Sequence, residues 1–467
     1  MKPFIHLFST SLGHYMYDVN TDVILKIPKE VYDMLNGKEI GQKQKETEEY
    51  INELKEYGFL KCSKVKETEH PDTKYLKYYC ESKLENIILQ ITQNCNLRCK
   101  YCVYSGSYKN RVHSNKRMPI EVAKRGIDFL INHSGERSEI SISFYGGEPL
   151  LEFDLIKKCI LYTESRVEGK KIIFNFTTNL TLLNEKILKF LVEHEVLIMV
   201  SLDGPKDIHD QYRQFIGGEG TFDTIYKNIM MINKLYPEYY KKCVNFNTVF
   251  ASCNYNCVEK FVSKDKLFNH INFLSSLVNN TNRIEKVGVK QSYYEESNYS
   301  FFIGYLYRVG RLKKKTNFKL LESAVLKIGE SRKGKIDLQR ASLPNKWHHG
   351  GPCIPGVLRL FIDVDGNFFP CEKVSEYSNN MNIGNLTEGY FIEKIENALN
   401  IERLSEKKCH NCWAYQDCKL CVGCIDNEFG AEELDEKCQE IKYEIENEYK
   451  DYCTLKELGI DFECDNI

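Results

Sequence analysis

Between residues 84 and 275, short apolar runs alternate with longer stretches of helical period. Segments 87–92, 140–145, 172–177, 196–201, 244–250 and 271–274 have strand length. The second alternates Ile140, Ser141, Ile142, Ser143, Phe144, and the fourth is apolar on both faces. Segments 120–133, 155–165, 185–192, 222–235 and 258–262 lie between them and read as helices, with Ile120, Ala123, Ile127 and Leu130 in register. Thr221 stands where it would cap the helix over 222–235. Six strand–helix alternations with right-handed crossovers predict an α/β fold, a parallel sheet with helices outside. Six units rather than eight predict an open, partial (β/α)6 barrel, with its chemistry at the C-terminal ends of the strands.

Residues 1–80 have a different rhythm. Runs at 15–19 and 23–27 flank Asn20-Thr21-Asp22, a hairpin signal. A short helix then runs from Pro28 to Gly37, and a charged helix over 45–57 carries Tyr50, Ile51 and Leu54 before Gly58. Residues 67–83 are polar, contain Pro71 and read as a linker. The expected division is a winged-helix-like module over 1–80, the barrel over 84–280, a bridging region over 281–345 and a cysteine-rich domain over 346–467. Arg311 to Lys315 is a basic run that reads as a solvated face.

The longest apolar run, Val196 to Val200, is far short of the ~20 residues of a membrane span. The first eighteen residues show neither a signal core nor a cleavage site. A net charge of −2 gives no long-range pull on nucleic acid or anionic lipid. The expectation is a cytoplasmic protein with no nucleic-acid or membrane partner. Nineteen cysteines in a reducing compartment then point to metal or redox chemistry rather than disulfides.

Cys95, Cys99 and Cys102 follow the first strand with C-x3-C-x2-C spacing. Three thiolates on one loop can hold three irons of a cubane and leave the fourth open. Zinc is the alternative, although no partner pair stands nearby. Cys353, Cys371, Cys409, Cys412, Cys418, Cys421, Cys424 and Cys438 form a second group, for which two zinc ribbons are the alternative. Cys62, Cys80, Cys159, Cys243, Cys253, Cys257, Cys453 and Cys464 are scattered and read as small buried hydrophobes. The pair Cys253-x3-Cys257 lacks further ligands, and His348-His349 reads as surface or turn histidines.

The first loop, with Tyr101 before its third cysteine, resembles the radical S-adenosylmethionine (SAM) superfamily. Tyr145-Gly146-Gly147-Glu148-Pro149, Thr177-Thr178-Asn179 and Ser201-Leu202-Asp203-Gly204-Pro205 follow at successive strand ends, and Asp210-Gln211-Tyr212-Arg213 comes after the last of them. The resemblance implies a [4Fe-4S] cluster on Cys95, Cys99 and Cys102, with SAM on its open iron. Gly146 and Gly147 would let backbone approach the cofactor, and Glu148 would meet the SAM ammonium. Ser201 and Arg213 would meet its carboxylate, and the Tyr101 backbone its adenine. A 5′-deoxyadenosyl radical would then abstract a substrate hydrogen, fed by a low-potential donor such as flavodoxin or ferredoxin.

The second group resembles the SPASM extension of radical SAM peptide maturases, which carries two auxiliary [4Fe-4S] clusters. A hairpin is expected at Asp365-Gly366, between Cys353 and Cys371. The chain departs from the family spacing at Val422, where a cysteine is expected. The resemblance implies Cys409, Cys412, Cys418 and Cys438 on one cluster, and Cys353, Cys371 and Cys421 or Cys424, or both, on the other. Glu372 stands where sulfatase-maturing relatives have an aspartate base. Residues 1–80 resemble the peptide-recognition element of ribosomal peptide maturases; a generic, DNA-binding winged helix is the other reading, against which the mixed charge of the second helix speaks. Together these imply a maturase of a ribosomally made, cysteine-rich precursor whose leader the N-terminal module binds. Thioether crosslinking is the leading expectation. The alternatives are an anaerobic sulfatase maturase making formylglycine, or a C–C or C–O crosslinking enzyme.

Overall fold

The computed structural model describes residues 2–251, 254–313, 318–332, 342–350, 353–424 and 431–462. Six parallel strands, Asn86–Thr92, Glu139–Gly146, Lys171–Thr178, Leu197–Ser201, Val244–Phe250 and Phe273–Leu277, lie side by side in chain order. Their registers align apolar positions: Ile87 faces Ile142, Ile142 faces Phe174, Val200 faces Phe246 and Phe246 faces Phe273. Helices Ile120–His133, Phe153–Arg166, Glu185–Glu193, Phe222–Leu235 and Tyr255–Lys264 connect the strands. Their apolar residues Ile127, Ile156, Leu188, Ile229 and Val258 bury against the sheet in one continuous core.

Thr221 does not cap its helix, because its backbone is already helical and turns the hydroxyl away from the helix end. Asp210 takes the Thr221 and Phe222 N–H groups at 2.8 and 2.9 Å instead. Thr221 Oγ1 donates to the Arg213 carbonyl at 3.0 Å, tying the helix to the loop that carries Arg213.

The hairpin at Asp365-Gly366 joins this sheet. Leu360–Ile362 runs parallel to Asn86–Thr92, with Leu360 beside Ile87, and Asn367–Phe369 returns antiparallel. With Gly384–Asn385 and Gly389–Tyr390 the sheet reaches ten strands. Leu360, Phe361 and Ile362 are fully buried, so the first strand's outer edge is covered.

The N-terminal sheet has three antiparallel strands, Ile5–Ser9, His14–Asp18 and Val23–Ile27, followed by helices Lys29–Leu35 and Gln44–Glu56. The first strand escaped the sequence reading because His6 and Ser9 interrupt its apolar pattern. One face packs Met16, Val23 and Ile27 on Val31 and Leu54. The other places Phe8, Tyr15 and Tyr17 in a core shared with Ile441, Ile445, Tyr449 and Cys453 of the terminal helix Ala431–Glu457. The strands therefore share a core with the cysteine-rich region.

The expected linker contains a helix, Leu76–Ser82, whose Leu76 and Cys80 enter the main core. Helix Gln291–Arg308 lies in the bridging region. Of the basic run, residues 314 and 315 lie outside the described residues, as do Gly351, Pro352, Cys253 and Cys464. Of the scattered cysteines, Cys80, Cys159, Cys243 and Cys453 are buried, whereas Cys62 is partly so and Cys257 is exposed. No helix among the described residues is long and apolar enough to cross a membrane.

Candidate active site

The first cysteine loop leaves the C-terminal end of Asn86–Thr92, where the sheet places the ends of the next strands beside it. Cys95 and Cys99 are buried, Cys102 nearly so, and Leu97 and Phe215 pack among them. The Leu97 N–H points at Cys95 Sγ (3.4 Å) and the Tyr104 N–H at Cys102 Sγ (3.5 Å). Burial pushes the Cys95 thiol up to about 12 and Cys102 up to about 11. Three neutral thiols gathered without a disulfide suit a cation that turns them into thiolates on binding.

Gly146 and Gly147 serve this loop. A Cβ on Gly146 would lie 1.9 Å from the Thr92 carbonyl oxygen, and one on Gly147 would lie 2.0 Å from that of Asn94. Gly146 also has φ +140°, in a region closed to most side chains. The Gly147 and Glu148 N–H groups donate to the Thr92 and Asn94 carbonyls at 3.0 and 2.9 Å. Both glycines thus let backbone approach the cysteine loop closely.

Glu148 is fully buried and accepts hydrogen bonds from the Leu150 N–H (3.0 Å), Thr178 Oγ1 (2.7 Å) and the Asn179 N–H (2.7 Å). Burial raises its pKa, while these donors favour the carboxylate. Asn179 Nδ2 reaches both Asn96 Oδ1 (2.9 Å) and Cys95 Sγ (3.9 Å), so Glu148 and the cysteine loop are held by one residue. Across the site, Arg213 Nη1 donates to the Tyr101 hydroxyl (2.7 Å), which donates to Asp203. Asp203 also takes the Val249 N–H at 3.1 Å. Arg213 Nε is buried without a partner. A buried carboxylate, an arginine with an unspent donor and three thiols fit SAM on an iron–sulfur cluster. Ser201 ends the fourth strand in the buried wall.

The eight later cysteines form two sets. Cys409, Cys412, Cys418 and Cys438 line one cavity of about 380 Å³. Cys438 comes from the terminal helix, which the sequence pattern did not reveal. Cys421 interacts electrostatically with Cys371 and Cys353, and its Sγ lies 3.9 Å from Cys424 Sγ. A hydrogen bond between them eases the ionisation of one thiol and holds the proton on the other, and either can be the donor. Cys421 thus stands near Cys353 and Cys371, and Cys424 stands beside Cys421.

Glu372 follows Cys371 and meets Arg359 at 3.4 Å, while its Oε2 is buried without a partner. Sequence reasoning missed what surrounds it. Arg111, fully buried, pairs with Glu376 at 2.7 Å and donates to the Tyr145 hydroxyl (3.3 Å) and the Val374 carbonyl (3.1 Å). Gln90 Nε2 donates to Glu376 (2.9 Å) and to the Tyr104 hydroxyl (3.0 Å). Cys102 and Glu372 both lie near enough to act on the Tyr145 hydroxyl, so this network spans the gap between the first loop and the Cys371 region. Arg111 and Glu376 sit in irregular polar segments, and no period or motif marks them. His348 and His349, expected on the surface, are buried at 1% and 2% exposure. Glu402, 53 residues further on, hydrogen-bonds the His349 N–H at 2.8 Å and draws them inside.

Comparison with known proteins agrees with this geometry. Residues 89–263 match the family model of the Radical SAM superfamily. An uncharacterized protein of Methanocaldococcus jannaschii is 34% identical over 180 residues, covering 38% of this chain and 57% of that protein. This chain thus spans little more than half of that relative's length. The cysteine-type anaerobic sulfatase-maturating enzyme of Clostridium novyi is 27% identical over 364 residues, 74% of this chain and 88% of that one. Among solved structures, native anSMEcpe with bound AdoMet and Kp18Cys peptide is 24% identical with a TM-score of 0.56, covering 80% of this chain and 97% of that one. The chain carries a radical SAM domain in an α/β fold. Its cofactors are S-adenosylmethionine and a [4Fe-4S] cluster, and the cysteine-rich C-terminal region fits auxiliary ones.

Proposed function

We propose that this protein is a radical SAM maturase of a ribosomally made precursor peptide, and that it joins a cysteine sulfur to carbon. The observation that carries this reading is the N-terminal sheet. Val23–Ile27 is its edge strand, with pairing to His14–Asp18 alone among the described residues. An open edge can take an extended peptide as an added strand. That sheet shares its core with the helix bearing Cys438, so a bound leader would be tethered beside the cysteine-rich region.

The proposed roles follow the geometry. Cys95, Cys99 and Cys102 hold the first cluster. Glu148 faces the SAM ammonium, Ser201 and Arg213 its carboxylate, and the Tyr101 backbone its adenine. When bound, SAM supplies the 5′-deoxyadenosyl radical that removes a substrate hydrogen atom. Arg111 and Tyr145 shape the space between that site and Glu372, which would accept a proton from the substrate. Cys353, Cys371, Cys421 and Cys424 hold one auxiliary cluster, and Cys409, Cys412, Cys418 and Cys438 the other. A second reading, formylglycine formation in a sulfatase, is favoured by the likeness to the clostridial maturase over 88% of its length.

Incubation with the candidate precursor under anaerobic, reducing conditions separates the two. Each thioether ring removes two hydrogen atoms, survives thiol reductant and protects its cysteine from alkylation. An aldehyde at a lone cysteine or serine would establish the sulfatase-maturase reading. A reductant-stable link with every cysteine alkylatable would establish C–C or C–O crosslinking.

A further inference from the structure

His349 is the one member of its cluster with unspent polar atoms. The residue lines the cavity of Cys409, Cys412, Cys418 and Cys438. The residue is 2% exposed, and neither ring nitrogen has a hydrogen-bond partner. The Cys418 carbonyl lies near the ring without completing such a bond. An unpaired buried polar group is costly, so a fold that keeps one points to a partner other than the protein itself.

The backbone around the ring is held from two sides. The His349 N–H donates to Glu402 Oε2 at 2.8 Å and the Gly350 N–H donates to the Tyr415 carbonyl at 3.2 Å. A Cβ on Gly350 would lie 2.0 Å from the Gln416 carbonyl oxygen, so the histidine loop presses on the loop between Cys412 and Cys418. His348, His349 and Glu402 lie close enough to hold a metal ion of their own. Two of the three are already engaged. His348 Nδ1 bonds the His349 carbonyl (3.0 Å) and its Nε2 accepts the Glu402 N–H (3.3 Å). The Glu402 carboxylate takes the His349 N–H, Thr68 (3.2 Å) and Tyr415 (3.1 Å). Of the three, only the His349 ring has nitrogens without a hydrogen-bond partner.

We propose that the His349 ring N–H donates a hydrogen bond to a sulfur of the iron–sulfur cluster held by Cys409, Cys412, Cys418 and Cys438, and thereby raises that cluster's reduction potential. This rests on the reading that these four cysteines hold a cluster. Such a cluster is anionic and gains one further negative charge on reduction. A donor aimed at its sulfur stabilises the reduced form more than the oxidised one. His349 is thus a positioning residue whose effect falls on this cluster and leaves the SAM site untouched.

The test is an anaerobic redox titration of reconstituted full-length enzyme, followed by electron paramagnetic resonance with iron counted for each variant. His349→Phe keeps the ring volume and removes the donor; His349→Asn restores one. At a fixed ambient potential, His349→Phe should lower the reduced-to-oxidised ratio of one cluster about tenfold, or 59 mV for a one-electron couple. Iron content should hold, and His349→Asn should recover most of the ratio. Should His349→Phe lose iron, 15N-labelled histidine in the wild type decides: a weak nitrogen coupling to one reduced cluster supports the bond. No coupling, a direct-ligand coupling, or an unchanged potential in an iron-replete His349→Phe would each overturn it. Failure of the cluster reading itself would show separately, as wild-type iron unaffected by replacing the four cysteines.

Discussion

Gly147→Ala is the sharpest test of how the cysteine loop is built. A Cβ at residue 147 would sit 2.0 Å from the Asn94 carbonyl oxygen and 3.0 Å from Cys95 Cβ. Ordinary carbon–oxygen contact is near 3.2 Å, so the loop must retreat by roughly 1 Å; the obstacle is backbone, with no flexible side-chain end to yield. Overpacking of this kind costs about 1–3 kcal/mol, and a metal site tolerates ligand shifts of only ~0.2 Å. The Glu148 N–H bond to the same carbonyl, 2.9 Å long, would be lost with it. The expected result is selective: Gly147→Ala should lose about four of about twelve irons and nearly all reductive SAM cleavage, matching a Cys95, Cys99 and Cys102 triple alanine variant. Gly135→Ala, where a Cβ meets nothing within 4 Å, is the control. Iron analysis, the electron paramagnetic resonance spectrum of the reduced protein and 5′-deoxyadenosine yield measure this. A Gly147→Ala protein with full iron and wild-type SAM cleavage would refute the argument that the two glycines are there to seat the loop.

Three further outcomes are expected. Cys421→Ala and Cys424→Ala should each disturb the same auxiliary cluster spectrum, since Cys421 stands near Cys353 and Cys371 and Cys424 Sγ lies 3.9 Å from Cys421 Sγ; one silent change would mean that cysteine is no ligand. Arg213→Lys should weaken SAM binding in anaerobic equilibrium dialysis by about ten- to a hundredfold, the 1.5–3 kcal/mol of a charged hydrogen bond. Unchanged affinity would remove Arg213 from the site. Burial raises Glu402 to about 7 from the ordinary 4.5, so the folded state binds its proton more tightly than the unfolded one. Stability should therefore be highest below pH 4.5 as far as this group is concerned, and fall by up to about 3 kcal/mol as pH rises to 7. Glu402→Gln should flatten that part of the curve of thermal midpoint against pH, and an unaltered slope would count against it.

The alternation of strand and helix from Ile87 onward was legible in the chain, because each element writes its own period locally and the barrel-like unit repeats it. The cysteine loop and the Gly146-Gly147-Glu148 stretch were legible for the same reason, being short and contiguous. The rest depends on segments far apart in the chain. Leu360 joins the edge of Asn86–Thr92, and Phe8 meets Tyr449 across the whole length of the sequence. No window contains both partners of either contact. The spacing left open whether Cys421 or Cys424 belonged with Cys353. Folding puts Cys421 near Cys353 and Cys371, with Cys424 Sγ 3.9 Å from Cys421 Sγ, and it places Cys438, on a helix without clear apolar period, beside Cys409. His349 shows the difference most directly. A histidine shortly before Cys353 reads as a surface or turn residue, since its own neighbours offer nothing to bury it. Glu402 and the loop around Tyr415 supply the burial, and only the folded chain brings them to it.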